Sequence, residues 1–159
     1  MFDGYDGAYC GEQAVKVAFG CDHGGISLKP EVIQVLVEMG HEVIDRGTFS
    51  EASVNYPDFA QSVVADVESG RADRGILICG TGIGMSMAAN RSPKIRAALC
   101  HELFTARLSR EHNDANVLCL GARVIGPGLA LEMVRTWMTT EFAGGRHQTR
   151  LALFSDCSC

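Results

Sequence analysis

The stretch GILICGTGIGMS, residues 75–86, decides the fold, because a short apolar run ends there in a cysteine that glycines follow. A short continuous apolar run bounded by glycine is typical of a buried strand in a parallel sheet. The residues after Cys79 then form the loop that leads into the next helix. Because α/β proteins bind their ligands beyond the carboxyl ends of such strands, this loop is the first candidate for a functional site.

Apolar runs alternate with amphipathic segments along the rest of the chain. The predicted strands are 15–21, 41–47, 74–79, 95–100 and 116–121. The predicted helices are 26–39, opened by Ser27, 57–69, 84–91, 102–111, 127–140 and a last one from about 146. A helix after each strand implies right-handed crossovers and a sheet covered on both faces. We therefore predict an α/β fold, a three-layer α/β/α sandwich with a Rossmann-like five-stranded parallel sheet, in which the loops after the strands form one functional rim.

The length and composition describe a chain that can bury a core, since 159 residues are 47% hydrophobic. We expect a flexible N-terminal extension over residues 1–14 and a single domain over residues 15–159 that ends in a C-terminal helix. No stretch approaches the ~18 consecutive apolar residues of a membrane span. The N-terminal sequence also has neither the basic region nor the apolar block of a signal peptide, so no membrane partner is expected.

Cysteine usage and charge narrow the class of protein further. The seven cysteines are an odd number, and Cys21, Cys79, Cys100 and Cys119 lie at or near the ends of apolar runs, as reduced core thiols would in the cytoplasm. The sequence has no CxxC pair and no HExxH motif, so no metal is expected. A net charge of -5 argues against nucleic acid as a partner, and an anionic ligand would need a local basic cluster.

The glycines after Cys79 favour an anion or a developing oxyanion, because they let successive N–H groups point inward ahead of a helix: Gly80, Gly82 and Gly84. The alternative is a tight turn that binds nothing. A dinucleotide-binding GxGxxG motif would need glycine where Met85 stands, and a P-loop would need a lysine directly after the glycines. A cysteine phosphatase would need an arginine soon after the nucleophile, but the first one is Arg91.

Cys79 itself stands at a strand end, beside a helix N-terminus and next to N–H groups suited to an enediolate oxygen. A helix N-terminus favours the thiolate form of a cysteine, and a thiolate can act as a base. This combination suits proton abstraction next to a carbonyl. On residue type alone, a cysteine in this position is more often an inert buried thiol.

Five ordered motifs carry a resemblance to a known family: FGCDHGG (19–25), NYPDFA (55–60), ICGTGIGMSMAAN (78–90), SREHNDANVLCLGARV (109–124) and GGRHQTR (144–150). The chain resembles the ribose-5-phosphate isomerase B family, which includes the galactose-6-phosphate and allose-6-phosphate isomerases. The resemblance runs from Val15 to about Arg150. It implies an aldose–ketose isomerase that interconverts ribose 5-phosphate and ribulose 5-phosphate through a cis-enediolate, without a cofactor.

The resemblance implies catalytic roles at the matching positions. Cys79 would be the base that moves a proton between C1 and C2 of the opened sugar phosphate. Some relatives carry a glutamate where Met85 stands here, so the cysteine variant is implied. Thr81 would pass a proton between O1 and O2. The N–H groups of the loop would hold the enediolate, at Gly80, Gly82 and Gly84.

Other residues would handle the sugar ring and its phosphate. His112 would assist opening of the furanose ring, with Asp22 and Tyr56 near the sugar hydroxyls and ring oxygen. Asn113 would hydrogen-bond the reacting end of the sugar. The phosphate-binding set would be His23, Arg123, Arg146 and Arg150. Family members build each site from two subunits, so a homodimer or a dimer of dimers with shared active sites is expected.

Several of these positions also have a simpler structural interpretation. Asp22 could cap its own loop, and His112 could belong to a turn before the fifth strand. Tyr56 could support the start of the next helix. Arg146 and Arg150 lie four apart and would share one helix face, but exposed helical arginines are common.

Two other functions stay open. The protein could isomerise another sugar phosphate, such as erythrulose 4-, allose 6- or galactose 6-phosphate, with the residues that measure chain length in the 45–58 loop and near His101. It could instead be a non-catalytic phosphosugar-binding protein, although a sensor has no need for a base at Cys79. His41 and His101 themselves have no motif context, and we interpret both as structural.

Overall fold

The described part of the chain has five strands, which are β1 Lys16–Cys21, β2 Glu42–Asp45, β3 Arg74–Cys79, β4 Ala97–Leu99 and β5 Val117–Gly121. The computed structural model describes residues 14–155, with side chains as far as Leu153. All strand pairs are parallel, and the strands lie in the order β2-β1-β3-β5-β4. Each predicted strand is therefore present, within about two residues of its predicted ends.

Within residues 14–155 the helices that cover the sheet are α1 Lys29–Glu38, α2 Tyr56–Glu68, α3 Ile83–Ala89, α4 Leu103–Glu111, α5 Pro127–Thr139 and α6 Arg146–Ser155. Proline occupies the first turn of α1, α2 and α5, where its missing N–H costs nothing. The prediction of one helix over 26–39, opened by Ser27, is wrong. Residues Ile26–Leu28 form a separate 3-10 turn without a side-chain cap, and α1 begins at Lys29 because Pro30 fixes its first turn.

The sheet is buried on both faces, which explains why its central strands read as continuous apolar runs. On one face Phe19 and Ile76 pack with Trp137 of α5, and all three are fully buried. On the other face Leu77 and Cys119 pack with residues of α2 and α3. The predicted three-layer α/β/α sandwich is therefore confirmed.

Parallel strands give the sheet two different edges. The carboxyl edge contains the strand ends Cys21, Cys79 and Gly121, and the last two pair with each other. Each helix that follows a strand runs back across the sheet and ends at the opposite edge, which we call the amino edge. The strand order changes direction between β1 and β3, and doubly wound sheets bind ligands in the crevice beyond such a pair.

The predictions for the chain termini fall mostly outside the described residues. The extension 1–14, apart from Ala14, and the C-terminal residues 156–159 are not among them. The helix predicted from about 146 is present as α6. Among residues 14–155, the four cysteines predicted to be core thiols are buried and free, and no helix is long and apolar enough to cross a membrane.

Candidate active site

The loop after β3 folds back around the sulfur of Cys79. Gly82 has a left-handed backbone with a φ of +78°, which a side chain would strain, and this turns the chain into α3. The Gly82 N–H donates to Cys79 Sγ at 3.1 Å, and the Ile83 N–H donates to the hydroxyl oxygen of Thr81 at 3.3 Å. Cys79 keeps 5% exposure, while Thr81 is exposed. One loop therefore presents a thiol and a hydroxyl, each held by a backbone donor.

Asp22 follows β1 and lies beside this loop. Its Oδ1 accepts the N–H of Gly24 at 2.8 Å and that of Gly25 at 3.1 Å, so the loop-capping interpretation accounts for one of its two carboxylate oxygens. A methyl group built on Gly24 would lie 2.9 Å from the nitrogen of Gly80. The loops after β1 and β3 are therefore in direct contact across the crevice.

Three further predicted residues surround the glycine loop. His23 Nδ1 accepts a backbone N–H at 3.2 Å from the loop before α2, so a neutral His23 ring carries its proton on Nε2. The Tyr56 ring lies against Gly84, where an added methyl group would be 2.7 Å from Tyr56 Cζ. Arg123 crosses Gly80, where an added methyl group would be 3.4 Å from Arg123 Cδ. The carboxyl-edge cluster consists of Asp22, His23, Tyr56, Cys79, Gly80, Thr81, Gly82, Gly84 and Arg123.

His112 and Asn113 lie in a turn at the amino edge, directly after α4. Asp114 in this turn has a φ of +44°, and its carboxylate accepts from Arg96 and Arg110, each at 2.8 Å. Arg96 Nε also donates to the carbonyl oxygen of Asn113 at 3.1 Å. Because Arg96 immediately precedes β4, these contacts fix the turn beside the start of the strands. Two arginines without a predicted role, Arg96 and Arg110, therefore fix the turn that follows His112.

The start of α6 lies beside the same turn. Residues 144–145, both glycine, have left-handed φ values of +61° and +55°, which let the chain turn from α5 into α6. The rings of His112 and His147 stack with centroids 4.1 Å apart and planes 10° apart. Arg146 and Arg150 are exposed on α6. The amino-edge cluster consists of His112, Asn113, Arg146, His147 and Arg150.

The two clusters lie at opposite edges of the sheet and do not meet within one chain. A strand such as β3 has six residues. At a rise of about 3.3 Å per residue, the two edges are roughly 20 Å apart. The loops after the strands, which form the predicted rim, hold the carboxyl-edge cluster, whereas four other predicted residues lie at the amino edge: His112, Asn113, Arg146 and Arg150. The physical reason is that α4 and α5 run back across the sheet before these residues follow.

The comparison with protein families agrees with this fold. Residues 17–154 match the model of a family described as Ribose/Galactose Isomerase. The chain belongs to this family. An Escherichia coli protein named ribose-5-phosphate isomerase B is 52% identical over 136 residues, which cover 86% of this chain and 91% of the relative.

Two other proteins are also similar to this chain over most of its length. The solved structure of Clostridium thermocellum ribose-5-phosphate isomerase B is 55% identical, with a TM-score of 0.87, and the match covers 89% of this chain and 95% of that chain. A Pectobacterium atrosepticum protein named D-erythrulose-4-phosphate isomerase is 42% identical over 133 residues, 82% of this chain and 87% of the relative. The predicted family and its class, an isomerase enzyme, are confirmed.

Two histidines that were not predicted from the sequence as site residues lie against predicted site residues. His101 Nε2 lies 3.4 Å from the carbonyl oxygen of Thr81, although we interpreted this histidine as structural. The available signal was its position directly after a strand. His147 stacks on His112, and its signal was a position next to Arg146 in a motif already linked to phosphate.

Burial keeps the thiols of three other cysteines protonated, so they are not expected to act as a base. It raises the pKa of Cys21 to about 11, and it also raises the pKa of Cys100 and of Cys119. The thiolate is the basic form of cysteine. These three thiols therefore stay protonated at neutral pH and are poor candidates for proton abstraction.

The environment of His147 favours its neutral form. Burial lowers its pKa from the ordinary value of 6.5, the positive charges of His112, Arg146 and Arg150 lower it further, and Glu111 opposes them. Because the folded chain has the lower pKa, the unfolded chain takes up this proton first as the pH falls. The corresponding stability is complete above the unfolded pKa and is lost progressively as the pH falls below it.

We therefore expect His147→Phe to make the melting temperature less sensitive to acid. Phenylalanine keeps a ring beside His112 but does not titrate. The measurement is thermal unfolding of both proteins at about pH 7.5 and about pH 5.5. Between these two pH values, the melting temperature should fall further for the unchanged protein than for the variant. An equal fall in both proteins would contradict the role given to His147.

Proposed function

We propose that the protein interconverts ribose 5-phosphate and ribulose 5-phosphate, with Cys79 as the base that moves a proton between C1 and C2. The observation that carries the proposal is the position of Cys79 Sγ, which accepts the Gly82 N–H at 3.1 Å at the crevice between β1 and β3. A donor on the sulfur favours the thiolate, which is the basic form. The family supplies the substrate class, a phosphorylated small sugar.

The proton transfer would pass through a cis-enediolate. Cys79 would remove the C2 proton of the opened aldose phosphate, and the electrons of that C–H bond would form the C1–C2 double bond while negative charge moves to O1. The Thr81 hydroxyl would pass a proton between O1 and O2. Cys79 would then return its proton to C1, which gives the ketose. All these transfers use groups of the chain itself.

Backbone N–H groups of the glycine loop would stabilise the enediolate. Because the Gly82 N–H already donates to the sulfur, we assign this role mainly to the N–H groups of Gly80 and Gly84. Fixed donors aimed at a developing oxyanion need no rearrangement as the charge forms, and one such donor contributes about 10²-fold or more to the rate in other enzymes.

The phosphate would be bound by His23 and three arginines. His23 can donate from Nε2, since its Nδ1 is occupied by a backbone N–H, and Arg123 crosses the glycine loop on the same edge. Arg146 and Arg150 belong to the amino-edge cluster. Guanidinium groups bind phosphate through paired N–H donors. Because these two arginines lie at the far edge of their own sheet, we assign them to the site of a second copy.

The ring-opening residues would also come from that second copy. His112 would move a proton at the ring oxygen, and Asn113 would hydrogen-bond the reacting end of the sugar. Asp22 and Tyr56 of the carboxyl-edge cluster would contact the sugar hydroxyls from the other side. Each site would therefore combine Cys79 of one copy with His112 of another.

A second copy would also cover apolar surface that a single chain exposes near the carboxyl edge. Five apolar side chains there are between 42% and 67% exposed, namely Ile83, Met87, Leu103, Phe104 and Val124. Where such side chains form one contiguous surface, that surface marks a protein contact. We therefore propose a homodimer as the smallest assembly, or a dimer of dimers. We propose a cytoplasmic location, where the free cysteines would stay reduced.

The proposed function is tested by the initial rate of isomerisation of ribose 5-phosphate, measured beside allose 6-, galactose 6- and erythrulose 4-phosphate. We expect the highest kcat/KM with ribose 5-phosphate. The second candidate substrate is D-erythrulose 4-phosphate, which the name of the 42% identical Pectobacterium relative favours. A higher kcat/KM for that sugar would keep the mechanism and change the substrate, whereas no turnover of any of them would overturn the proposal.

A further inference from the structure

His101 stands at the carboxyl end of β4, where its ring reaches the glycine loop. Its Nε2 lies 3.4 Å from the carbonyl oxygen of Thr81. Because a carbonyl oxygen only accepts, Nε2 must carry the proton in this hydrogen bond. The neighbouring Glu102 carboxylate is engaged in capping α4, since its oxygens accept the N–H groups of Phe104 at 2.6 Å and Thr105 at 2.7 Å.

A single peptide unit links His101 to Cys79. Its C=O belongs to Thr81 and accepts from His101, and its N–H belongs to Gly82 and donates to Cys79 Sγ at 3.1 Å. The C=O and N–H of a trans peptide point in opposite directions, and no peptide bond within residues 14–155 is cis. The imidazole and the sulfur therefore hold this peptide unit from opposite ends.

The backbone of β5 supports the same peptide unit. β5 lies between β3 and β4, and a methyl group built on Gly121 at its end would be 2.7 Å from the carbonyl carbon and oxygen of Thr81. A methyl group built on Gly82 would be 2.5 Å from Leu99 Cδ1 and 3.0 Å from the Leu120 carbonyl. The absence of a side chain at Gly121 lets the loop lie on β5 within reach of His101.

We propose that His101 is a positioning residue for the base. A donor on the C=O of a peptide polarises the N–H of the same peptide, so the His101 hydrogen bond strengthens the bond from Gly82 to the sulfur and fixes its direction. Loss of the donor would weaken the support of the thiolate and slow proton abstraction. KM would change little, because the phosphate-binding residues lie elsewhere. The inference rests on the proposed role of Cys79.

Two variants separate the donor from the ring. His101→Phe keeps a planar ring and removes the donor, and His101→Gln places an amide N–H near the position of Nε2. One hydrogen bond makes only a modest net contribution to free energy, because water competes for the same groups. We therefore expect the phenylalanine variant to lower kcat for ribose 5-phosphate by about three- to tenfold, with KM unchanged within about twofold. The glutamine variant should recover kcat to within about twofold of the unchanged protein.

Alkylation of Cys79 by iodoacetamide, followed by mass spectrometry of its own peptide, tests the same link without any sugar. We expect alkylation to be about three- to tenfold slower in His101→Phe and nearly normal in His101→Gln. An unchanged rate in His101→Phe, or an equal loss in both variants with lowered melting temperatures, overturns the inference. Because alkylation needs no turnover, this result stays separate from a failure of Cys79 as the catalytic base.

Discussion

Replacing Cys79 with alanine should lower kcat for ribose 5-phosphate by about 10³-fold while the protein stays folded. Alanine removes the sulfur that accepts the Gly82 N–H at 3.1 Å. The neighbouring thiols cannot replace it, because burial raises the pKa of Cys21, Cys100 and Cys119. KM should change little, since His23 and the arginines remain. The measurement is steady-state formation of ribulose 5-phosphate, with thermal unfolding as the test of folding.

The matched control for this variant is Cys119→Ala, which removes a fully buried thiol from the adjacent strand β5. It should keep kcat close to that of the unchanged protein, because Cys119 packs in the core against α2 and α3. A folded Cys79→Ala protein with near-normal kcat would show that Cys79 is not the base. A large loss in both variants would instead indicate disturbed packing between β3 and β5.

Replacing His112 with alanine should lower turnover of ribose 5-phosphate by about 10²-fold but spare proton exchange on the product. Ribose 5-phosphate is mainly a closed furanose that must open before C2 can lose its proton. Ribulose 5-phosphate stays open, because its O5 carries the phosphate and cannot close a five-membered ring. Exchange of its C1 proton with D2O therefore needs the base at Cys79 but not the ring-opening histidine. NMR of the C1 position measures this exchange.

Glu111→Gln is the matched control for the His112→Ala variant. Glu111 Oε1 lies 3.7 Å from His112 Nε2, and the substitution removes this neighbouring charge while it keeps a side chain of the same shape at the end of α4. It should change turnover by no more than a few-fold, in line with a partly exposed ion pair. If His112→Ala lowered turnover and C1 exchange by the same factor, His112 would act in binding or proton abstraction and the assignment to ring opening would be wrong.

The fold could be predicted from the sequence because local pattern and tertiary structure agree at most elements. The strands β1 and β3 are buried on both faces and therefore appear as continuous apolar runs, and Pro57 and Pro127 mark the first turns of α2 and α5. Ser27 misled the prediction, because a capping residue type occurs there inside a 3-10 turn. The start of α1 is set instead by Pro30.

The carboxyl-edge half of the site could also be predicted, because parallel strands bring their ends together. Cys79 ends β3 and Asp22 directly follows β1, so they were expected to lie at one edge, as they do. His112 follows α4 instead, and a helix that follows a parallel strand ends at the opposite edge, so the same topology separates His112 from Cys79. The contact of His101 with Thr81 depends on strand order, since β5 separates β4 from β3, and no local pattern encodes that order.

Turnover by a mixed assembly of Cys79→Ala and His112→Ala chains tests most directly whether two copies share each site. The two chains are co-expressed with different affinity tags and purified through both. In a symmetric dimer, one site then carries both substitutions and the other carries neither. We predict about half the turnover of the unchanged dimer, although each variant alone is nearly inactive. Turnover no higher than that of the single variants would contradict a shared site, because Cys79 and His112 would then act within one chain.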